Sequence, residues 1–381
     1  MLCIKNGRVH DAISREPYLA DILIRDGKIA EIGPGLPVPA GCETVDASGK
    51  EIYPGFVDAH CHVGMEESGI GFEGDDVNEM GDIFSPQLRA IDGIQPTDPT
   101  LLEAARAGVT TACTGPGSAN VLGGTFAAIK TVGTRVDKMI VRNPIAMKCA
   151  FGENPKKCYR DKGNSSRMST AARLREALFK AREYDEKLSA AGDDPLKKPA
   201  YDIKLEALLP VLHGEIPLKA HAHRADDLFT ALRIAREFGV KITLEHVTEG
   251  HLIADELAAE HVPVAVGPSL THATKFELRD KTFATPGILA QKGCDVSIIT
   301  DSPVIPLNYL PLCAALAIKS GMDPFDALRA ITINPARHAG IADRVGSIEK
   351  GKDADLVIMD GNCFAVETNV LQVYIEGKPV K

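Results

Sequence analysis

The hydrophobic and polar positions of the chain follow one pattern at its two ends and another in the middle. The end pattern is a two-residue alternation, which predicts strands. It occurs in residues 2–9, 21–32, 355–359 and 371–375. The first two segments contain Asn6-Gly7 and Asp26-Gly27, dipeptides that supply the positive φ angles of hairpin turns. Because the ends of compact chains often lie close together, we expect both ends to pair into one small β-sandwich.

The middle of the chain alternates short apolar runs with segments of helical periodicity. The runs are Ile52–Val57, Val109–Cys113, Ile140–Cys149, Ile216–Ala220, Val240–Leu244, Val262–Val266 and Val296–Thr300. The helical segments include Ser169–Leu188, Ala225–Phe238 and Pro324–Ile333. Apolar strands that alternate with helices indicate a parallel sheet covered on both faces. The length suits an α/β fold of the (β/α)8 TIM barrel type, with a doubly wound open sheet as the alternative. One more strand is expected between Gly115 and Lys138.

These patterns divide the chain into two predicted domains. Residues 1–51 and 341–381 form the composite β-sandwich, and residues 52–340 form the barrel. Residues 151–200 interrupt the alternation with a polar stretch followed by a charged helix. We interpret them as an insertion in a βα loop, which in a barrel stands over the active face.

Composition narrows the classes of function. The chain has 381 residues and a formal net charge of −9, which argues against a general nucleic-acid binder. No apolar run approaches the roughly 20 residues of a membrane-spanning helix, and the first residues do not resemble a signal peptide. The nine cysteines show no C-x-x-C spacing. We therefore expect a cytoplasmic enzyme with a small-molecule substrate and reduced thiols; a homo-oligomer is possible.

The strongest chemical signal is the pair His60 and His62 after a buried run. Residues two apart on a strand point the same way, so these imidazoles can bind one metal ion. Polar residues that can bind metals recur at the ends of other predicted strands. They are Lys148, His221, His223, His246 and Asp301. Because the C-terminal ends of parallel barrel strands converge on one face, the sequence predicts a shared metal site there.

Several segments together resemble the amidohydrolase superfamily, and in particular its imidazolonepropionase-related members. They are the P-G-F-x-D-x-H-x-H segment at 54–62, the later histidines and Asp301 at strand ends, Asn334-Pro335-Ala336-Arg337, and the stretch 346–357. The resemblance implies hydrolysis of a non-ester C–N bond, in an amide, a cyclic amide, or an N-acyl or dipeptide-like substrate. The attacking hydroxide would be generated from water by the metal.

The resemblance also implies a ligand set. His60, His62 and Asp301 would bind the more buried ion, and His221 and His246 the second. Lys148 would bridge the two as a carbamate, because an ammonium group has no lone pair for a metal. The alternative is a single ion held by His60, His62, His221 and Asp301, with Lys148 touching substrate. The expected cofactor is therefore one or two divalent ions. Zinc suits these ligands best, although manganese, iron and nickel also accept them.

The predicted metal site and hydrolysis also suggest roles for other polar residues. Asp301 is the expected general base, and His223 or His246 would stabilise the oxyanion. His223, Arg224 and His272 are the candidate substrate-binding residues. Asp58 is interpreted as an orienting carboxylate. No role is assigned to the remaining histidines, which are His10, His213, His251, His261 and His338.

Two other functions are alternatives to hydrolysis. Deaminases of the superfamily typically carry Glu three residues after the histidine of the fifth strand, where this chain has Arg224. A catalytically inactive scaffold on the same barrel would have lost metal ligands, whereas every expected ligand position is filled here. Hydrolysis is therefore the preferred hypothesis, with the deaminase as the first alternative.

Overall fold

The computed structural model describes residues 1–380, and their strands fall into three groups along the chain. The first group is β1 (Leu2–Val9), β2 (Tyr18–Arg25), β3 (Lys28–Gly33), β4 (Glu43–Asp46) and β5 (Glu51–Pro54). The second is β6 (Phe56–Cys61), β7 (Val109–Thr114), β8 (Leu122–Lys130), β9 (Ile140–Ala150), β10 (Leu218–Ala222), β11 (Ile242–His246), β12 (Val264–Val266) and β13 (Val296–Ile298). The third is β14 (Leu356–Met359), β15 (Val370–Ile375) and β16 (Lys378–Pro379).

The helices lie almost entirely between strands of the second group and after it. They are α1 (Pro99–Arg106), α2 (Glu153–Cys158), α3 (Arg167–Ala191), α4 (Ile203–Glu206), α5 (Leu209–Leu212), α6 (Ala225–Phe238), α7 (Ala254–Glu260), α8 (Thr285–Gln291), α9 (Leu310–Lys319), α10 (Pro324–Ala330) and α11 (Ile333–His338). Within residues 1–380, no helix has the length and hydrophobicity needed to cross a membrane.

Strands from both ends of the chain form one sheet, as the alternating patterns predict. Its order is β16-β15-β14-β5-β1-β2-β3, with β4 paired to β1. The two ends meet where β5 pairs antiparallel with β14, in a register that sets Ile52 opposite Ile358. Ile4, Ile22 and Leu356 share the apolar core of this sheet with those two residues. The two-layer sandwich stays a prediction.

The second group of strands forms a barrel-like sheet in the order β13-β12-β11-β10-β9-β8-β7-β6. The first and last strands of this order, β13 and β6, are joined by hydrogen bonds just beyond the end of β13. His60 O accepts from Asp301 N at 3.2 Å, and His62 N donates to Ser302 O at 2.7 Å. The expectation of an all-parallel barrel is wrong at β8, which runs antiparallel to both β7 and β9. The connection of residues 115–121 is too short for the crossover that a parallel neighbour requires, so the chain reverses direction.

Side chains alternate along the barrel strands, and β10 shows the rule clearly. Leu218, Ala220 and Ala222 belong to the apolar cluster between strands and helices. Lys219 and His221 therefore point to the opposite side, into the barrel interior. Polar residues at every second position thus reach the centre of the sheet, while the residues between them pack against the helices.

The helices that cover the barrel follow the apolar periodicity of the sequence. Helix α6 has the predicted bounds, buries Leu228 and Leu232 on one face, and ends at Gly239, whose φ of 68° suits glycine. The polar stretch 151–200 contains α3, whose Leu174 and Leu178 pack into the same cluster as the barrel strands. Much of this stretch is therefore a helix that covers the barrel.

Candidate active site

The predicted site residues converge at one end of the barrel-like sheet. His60 lies near the end of β6 and His62 directly follows that strand. Lys148 lies near the end of β9, and His246 is the last residue of β11. His221 is on β10, His223 follows it, and Asp301 comes three residues after β13. All of these side chains are buried except that of Asp301, which is 16% exposed. The site therefore opens to solvent beside Asp301.

His60, His62 and Asp301 form the first of two candidate ligand clusters. The Nε2 atom of His62 lies 3.2 Å from Asp301 Oδ1, and that of His60 lies 3.7 Å from the same oxygen. Burial opposes the charge on Asp301, but His246 and His62 outweigh it and lower the pKa of this carboxyl. Asp301 is therefore an anion at neutral pH.

His221, His223 and His246 form the second cluster. The ring centroids of His221 and His246 lie 4.3 Å apart, and those of His60 and His246 lie 5.0 Å apart. The two clusters are thus neighbours that meet at His246. Burial lowers the pKa of His246 to about 4 and those of His221 and His223 well below the ordinary value, so these imidazoles are neutral.

Hydrogen bonds at Nδ1 fix the orientation of the imidazoles. His62 Nδ1 lies 2.7 Å from Gly115 O, and His246 Nδ1 lies 2.9 Å from Gly267 O. A carbonyl oxygen only accepts, so each Nδ1 carries a proton. The Nε2 atoms are therefore the ones that face the clusters and can present a lone pair to a metal. His62 Nε2 faces Asp301 Oδ1 at 3.2 Å, and a proton or a divalent cation can bridge these two atoms.

Unpaired buried atoms in both clusters favour a cation. His221 Nε2, His246 Nε2 and Asp301 Oδ1 are buried and have no hydrogen-bond partner. An unpaired buried polar atom costs roughly 1–3 kcal/mol, so such a concentration requires an explanation. Imidazole and carboxylate are the groups that bind zinc and related divalent ions. The residues of both clusters therefore fit a divalent metal.

Lys148 lies beside the first cluster. Its Nζ atom is 3.0 Å from His60 Nε2, and the side chain is fully buried. Burial lowers the pKa of Lys148 to about 7, against the opposing effect of Asp301 and Glu245. A substantial fraction of this side chain is thus a neutral amine at pH 7.

A polar network beneath the clusters was not foreseen from the sequence. Glu245 Oε2 accepts from His60 Nδ1 at 3.0 Å and lies 2.9 Å from Lys219 Nζ, while Oε1 lies 2.7 Å from His338 Nε2. Burial alone would raise the pKa of Glu245, but His338 and Lys219 outweigh it and hold the pKa well below its usual range. His338, to which no role was assigned, is thus part of the support of His60. The sequence offered one signal, an acidic residue directly before His246.

Asp58 occupies the supporting position that the sequence suggested. It accepts from His60 N at 2.9 Å, from Thr300 N at 3.0 Å and from Thr300 Oγ1 at 2.6 Å. Burial nevertheless raises the pKa of Asp58 to about 6. The carboxylate thereby ties β6 to the segment that carries Asp301, and it lies outside both ligand clusters.

Backbone conformation also positions two of the site residues. His246 has a φ of 76° and Asp301 a φ of 55°, in the left-handed region that residues with a Cβ rarely adopt. Such strain costs of order 1–3 kcal/mol and is found where function requires an unusual direction. In this fold it turns the two side chains back over the strand ends, toward the other ligands.

The residues proposed to bind substrate lie less centrally, with one exception. His223 is buried, and its Nδ1 is 2.8 Å from Thr248 Oγ1. Arg224 instead makes a two-fold hydrogen-bonded pair with Asp226 at 2.9 and 3.0 Å, and His272 is exposed. Of these three residues, the structure brings only His223 into the ligand clusters.

Glu277, which the sequence analysis missed, faces the second cluster from the loop after β12. Its Oε1 atom lies 3.7 Å from His223 Nε2 and 3.9 Å from His221 Nε2. Lys275 Nζ is 2.7 Å from the same oxygen and hydrogen-bonds to Asn154 Oδ1 at 2.9 Å. Loop residues show no periodicity, so the sequence gave no signal for this carboxylate.

Comparisons with known proteins agree with this geometry. The model of the Amidohydrolase family matches residues 52–380. A crystal structure of an amidohydrolase from Thermotoga maritima is 41% identical, with a TM-score of 0.96 and 100% of each chain covered. The amidohydrolase tasK of Hapsidospora irregularis is 29% identical over 94% of this chain, which spans only 40% of that relative. An imidazolonepropionase of Symbiobacterium thermophilum is 26% identical over 88% of this chain and 82% of its own length.

Proposed function

The chain belongs to the amidohydrolase family, and we propose that it is a metal-dependent hydrolase of a small molecule, acting on an amide-like C–N bond. Membership confirms the family resemblance drawn from the sequence and, at the level of the family, hydrolysis of C–N bonds. One structural observation carries the proposal for this chain. Buried Nε2 and carboxylate oxygen atoms without hydrogen-bond partners converge at the open end of the barrel, where a divalent cation would satisfy them.

We assign His60, His62 and Asp301 to one ion, and His221 and His246 to a second. Zinc suits this combination of imidazole and carboxylate ligands. When bound, a divalent cation lowers the pKa of a water molecule toward neutrality and polarises a carbonyl oxygen. These ligands come from strands of one sheet, which holds them in place before substrate arrives.

Asp301 is the proposed general base. Its carboxylate is ionised, and it is the ligand that solvent and substrate reach first. It would accept a proton from the attacking water and return it to the departing nitrogen. His223 or His246 would stabilise the oxyanion of the tetrahedral intermediate. His223 is the stronger candidate, because His246 donates from Nδ1 to Gly267 O and its Nε2 is assigned to a metal.

Lys148 is the proposed bridge between the two ions. A neutral amine adds to carbon dioxide, forms an N–C bond and releases a proton, which gives a carbamate with two oxygens. Lys148 lies beside His60 and pairs with no carboxylate of residues 1–380, whereas Lys219 is paired with Glu245. This difference favours the reaction at Lys148, because a paired ammonium keeps its proton.

The substrates that fit this chemistry are amides, cyclic amides, and N-acyl or dipeptide-like compounds. The alternative, deamination, lacks the glutamate that deaminases of this kind typically carry, because Arg224 at that position binds Asp226. A scaffold function is disfavoured because both ligand clusters are complete. The composite sandwich of residues 1–51 and 341–381, the barrel domain 52–340, a cytoplasmic location and a homo-oligomer stay predictions.

The decisive experiment is a hydrolase screen of the protein loaded with zinc or manganese. N-acyl amino acids, dipeptides, lactams and cyclic ureides serve as substrates, with ammonia release measured in parallel to detect deamination. We expect turnover of at least one C–N substrate, loss of turnover with a chelator, and recovery on reloading. A protein that binds no divalent ion would refute the proposal.

A further inference from the structure

The buried carboxylate of Glu277 faces the second ligand cluster from a loop. Its side chain is 1% exposed, although it lies in the connection of residues 267–284 between β12 and α8. Buried carboxylates are normally paired, hydrogen-bonded or bound to a metal. The two oxygens of this carboxylate have different neighbours, which are a backbone N–H group at Oε2 and the histidines of the second cluster at Oε1.

One oxygen anchors the side chain. Glu277 Oε2 accepts from the backbone N–H of Glu153 at 3.0 Å. Gly152 makes this approach possible, because a Cβ atom at that position would lie 2.7 Å from Oε2. The φ of Gly152 is 80°, a second reason for glycine there. The absence of a side chain at Gly152 thus leaves room for the Glu277 carboxylate.

The other oxygen faces the histidines. Glu277 Oε1 is buried and forms an ion pair with Lys275, whose Nζ lies 2.7 Å away. It lies 3.7 and 3.9 Å from the Nε2 atoms of His223 and His221, and His221 Nε2 is itself unpartnered. Ligands of a tetrahedral zinc ion are roughly 3.4 Å apart, given bond lengths of about 2.1 Å. A shift of a few tenths of an ångström would place these atoms around one cation.

Charge also favours a cation at this point. The first cluster contains the carboxylate of Asp301, whereas the second consists of imidazoles, and the proposed Lys148 carbamate would be shared between the two ions. Among the described residues, Glu277 is the carboxylate that lies within 4 Å of His221 and His223. Lys275 has a second acceptor in Asn154, so it can keep a partner when Glu277 Oε1 turns to a metal.

We propose that Glu277 is a ligand of the metal ion at the second cluster, in addition to the histidines that the family resemblance implies. This inference rests on the proposed function, because it concerns the same metal site. It adds a loop residue to a set of ligands otherwise held by the ends of the strands. Movement of the loop at residues 267–284 would then change the affinity of the second ion directly.

The test measures metal affinity directly. Wild type, Glu277→Gln and a matched control are titrated with Zn²⁺ in competition with a chromophoric chelator, and with Co²⁺ followed by its visible absorption. The control is Glu249→Gln. Glu249 is also buried, accepts a backbone N–H from Ala225 at 2.9 Å and lies 3.3 Å from Arg279, but it belongs to neither cluster.

We expect wild type and Glu249→Gln to bind two ions with similar affinity. In Glu277→Gln the affinity for one ion should fall at least about tenfold, the lower range for loss of a residue that merely supports a ligand. The Co²⁺ spectrum of that site should change, because a carboxylate ligand is lost. A Lys275→Met variant should keep both ions if Glu277 serves the metal.

Each contrary result has a distinct meaning. Unchanged affinity and an unchanged Co²⁺ spectrum in Glu277→Gln would overturn the inference and leave the proposed function intact. Absence of any tightly bound ion in wild type would overturn the proposed function and this inference with it. Thermal melting of the metal-free variants shows that they fold, and Glu277→Asp, which keeps the charge, should recover part of the affinity.

Discussion

Replacement of Glu245 by Gln tests the network that supports His60. The carboxylate lies within 3.0 Å of His60, Lys219 and His338, and Thr243 donates to it at 2.7 Å. Gln keeps the shape and removes the negative charge. Lys219 then remains buried beside His338 Nε2 at 3.4 Å, without an anion.

The Lys219 ammonium therefore stays buried without its partner in this variant. An unpaired buried charge typically costs about 3–5 kcal/mol. We therefore expect Glu245→Gln to lower the free energy of unfolding by about 3–5 kcal/mol, a large part of the roughly 5–15 kcal/mol typical of folded proteins.

The assay is urea unfolding in excess chelator, so that metal binding does not contribute. The double variant Lys219→Met/Glu245→Gln removes both charges, and it should be more stable than Glu245→Gln alone by about 2 kcal/mol or more, since loss of a whole buried pair is often nearly neutral. A cost below about 1 kcal/mol for Glu245→Gln, or strict additivity in the double variant, would refute the reasoning.

The pH dependence of the same variant has a defined sign. The pKa of Glu245 is lowered in the folded state, so its contribution is fully present above the unfolded pKa of about 4.3 and is lost as pH falls below it. The difference in unfolding free energy between wild type and Glu245→Gln should therefore shrink below about pH 4. A difference that stays constant from pH 7 to pH 3 would contradict the assignment.

Three further predictions concern the site and the helix that covers it. Asp301→Asn should abolish turnover while circular dichroism shows a folded chain; near-normal rates would exclude Asp301 as the base. Lys148→Ala should lower metal content from about two ions per chain toward one by elemental analysis, because the carbamate bridge is lost, and an unchanged content would exclude the bridge. Leu178→Ala should cost about 2–5 kcal/mol in urea unfolding, since Leu178 is fully buried in α3. Leu196→Ala, at a site 94% exposed, is its control and should change stability by less than about 0.5 kcal/mol; similar values for the two variants would show that α3 does not pack on the barrel.

Hydrophobic periodicity was sufficient to predict those parts of the fold that depend on burial alone. Helix α6 has one apolar face, and its bounds could be predicted from that face and the glycine after it. Strand β8 is buried at every position, so its pattern does not distinguish a parallel from an antiparallel neighbour. Its direction depends on the length of the connection before it, and the sequence places this strand only within the broad range from Gly115 to Lys138.

Some residues of the candidate site could be predicted from the sequence, and others could not. His60, His62, His221 and His246 could be placed because strand ends converge on one face of a barrel. Glu277 reaches the same place from a loop, and a loop position becomes meaningful only when its backbone path is known. The support of His60 by His338 could not be predicted either, because α11 and β6 are far apart in sequence and meet only in the folded chain.

The pairing of β5 with β14 affects the order in which the chain can fold. Strand β5 leads directly into the strand that carries His60, and its partner becomes available only when residues 356–359 have left the ribosome. Until then, one edge of β5 lacks its hydrogen-bond partners. Residues 356–359 must therefore be synthesised before β5, which leads into the first barrel strand, is paired on both edges. A chain truncated before residue 356 would expose an unpaired edge to other molecules, and aggregation during expression is the expected outcome.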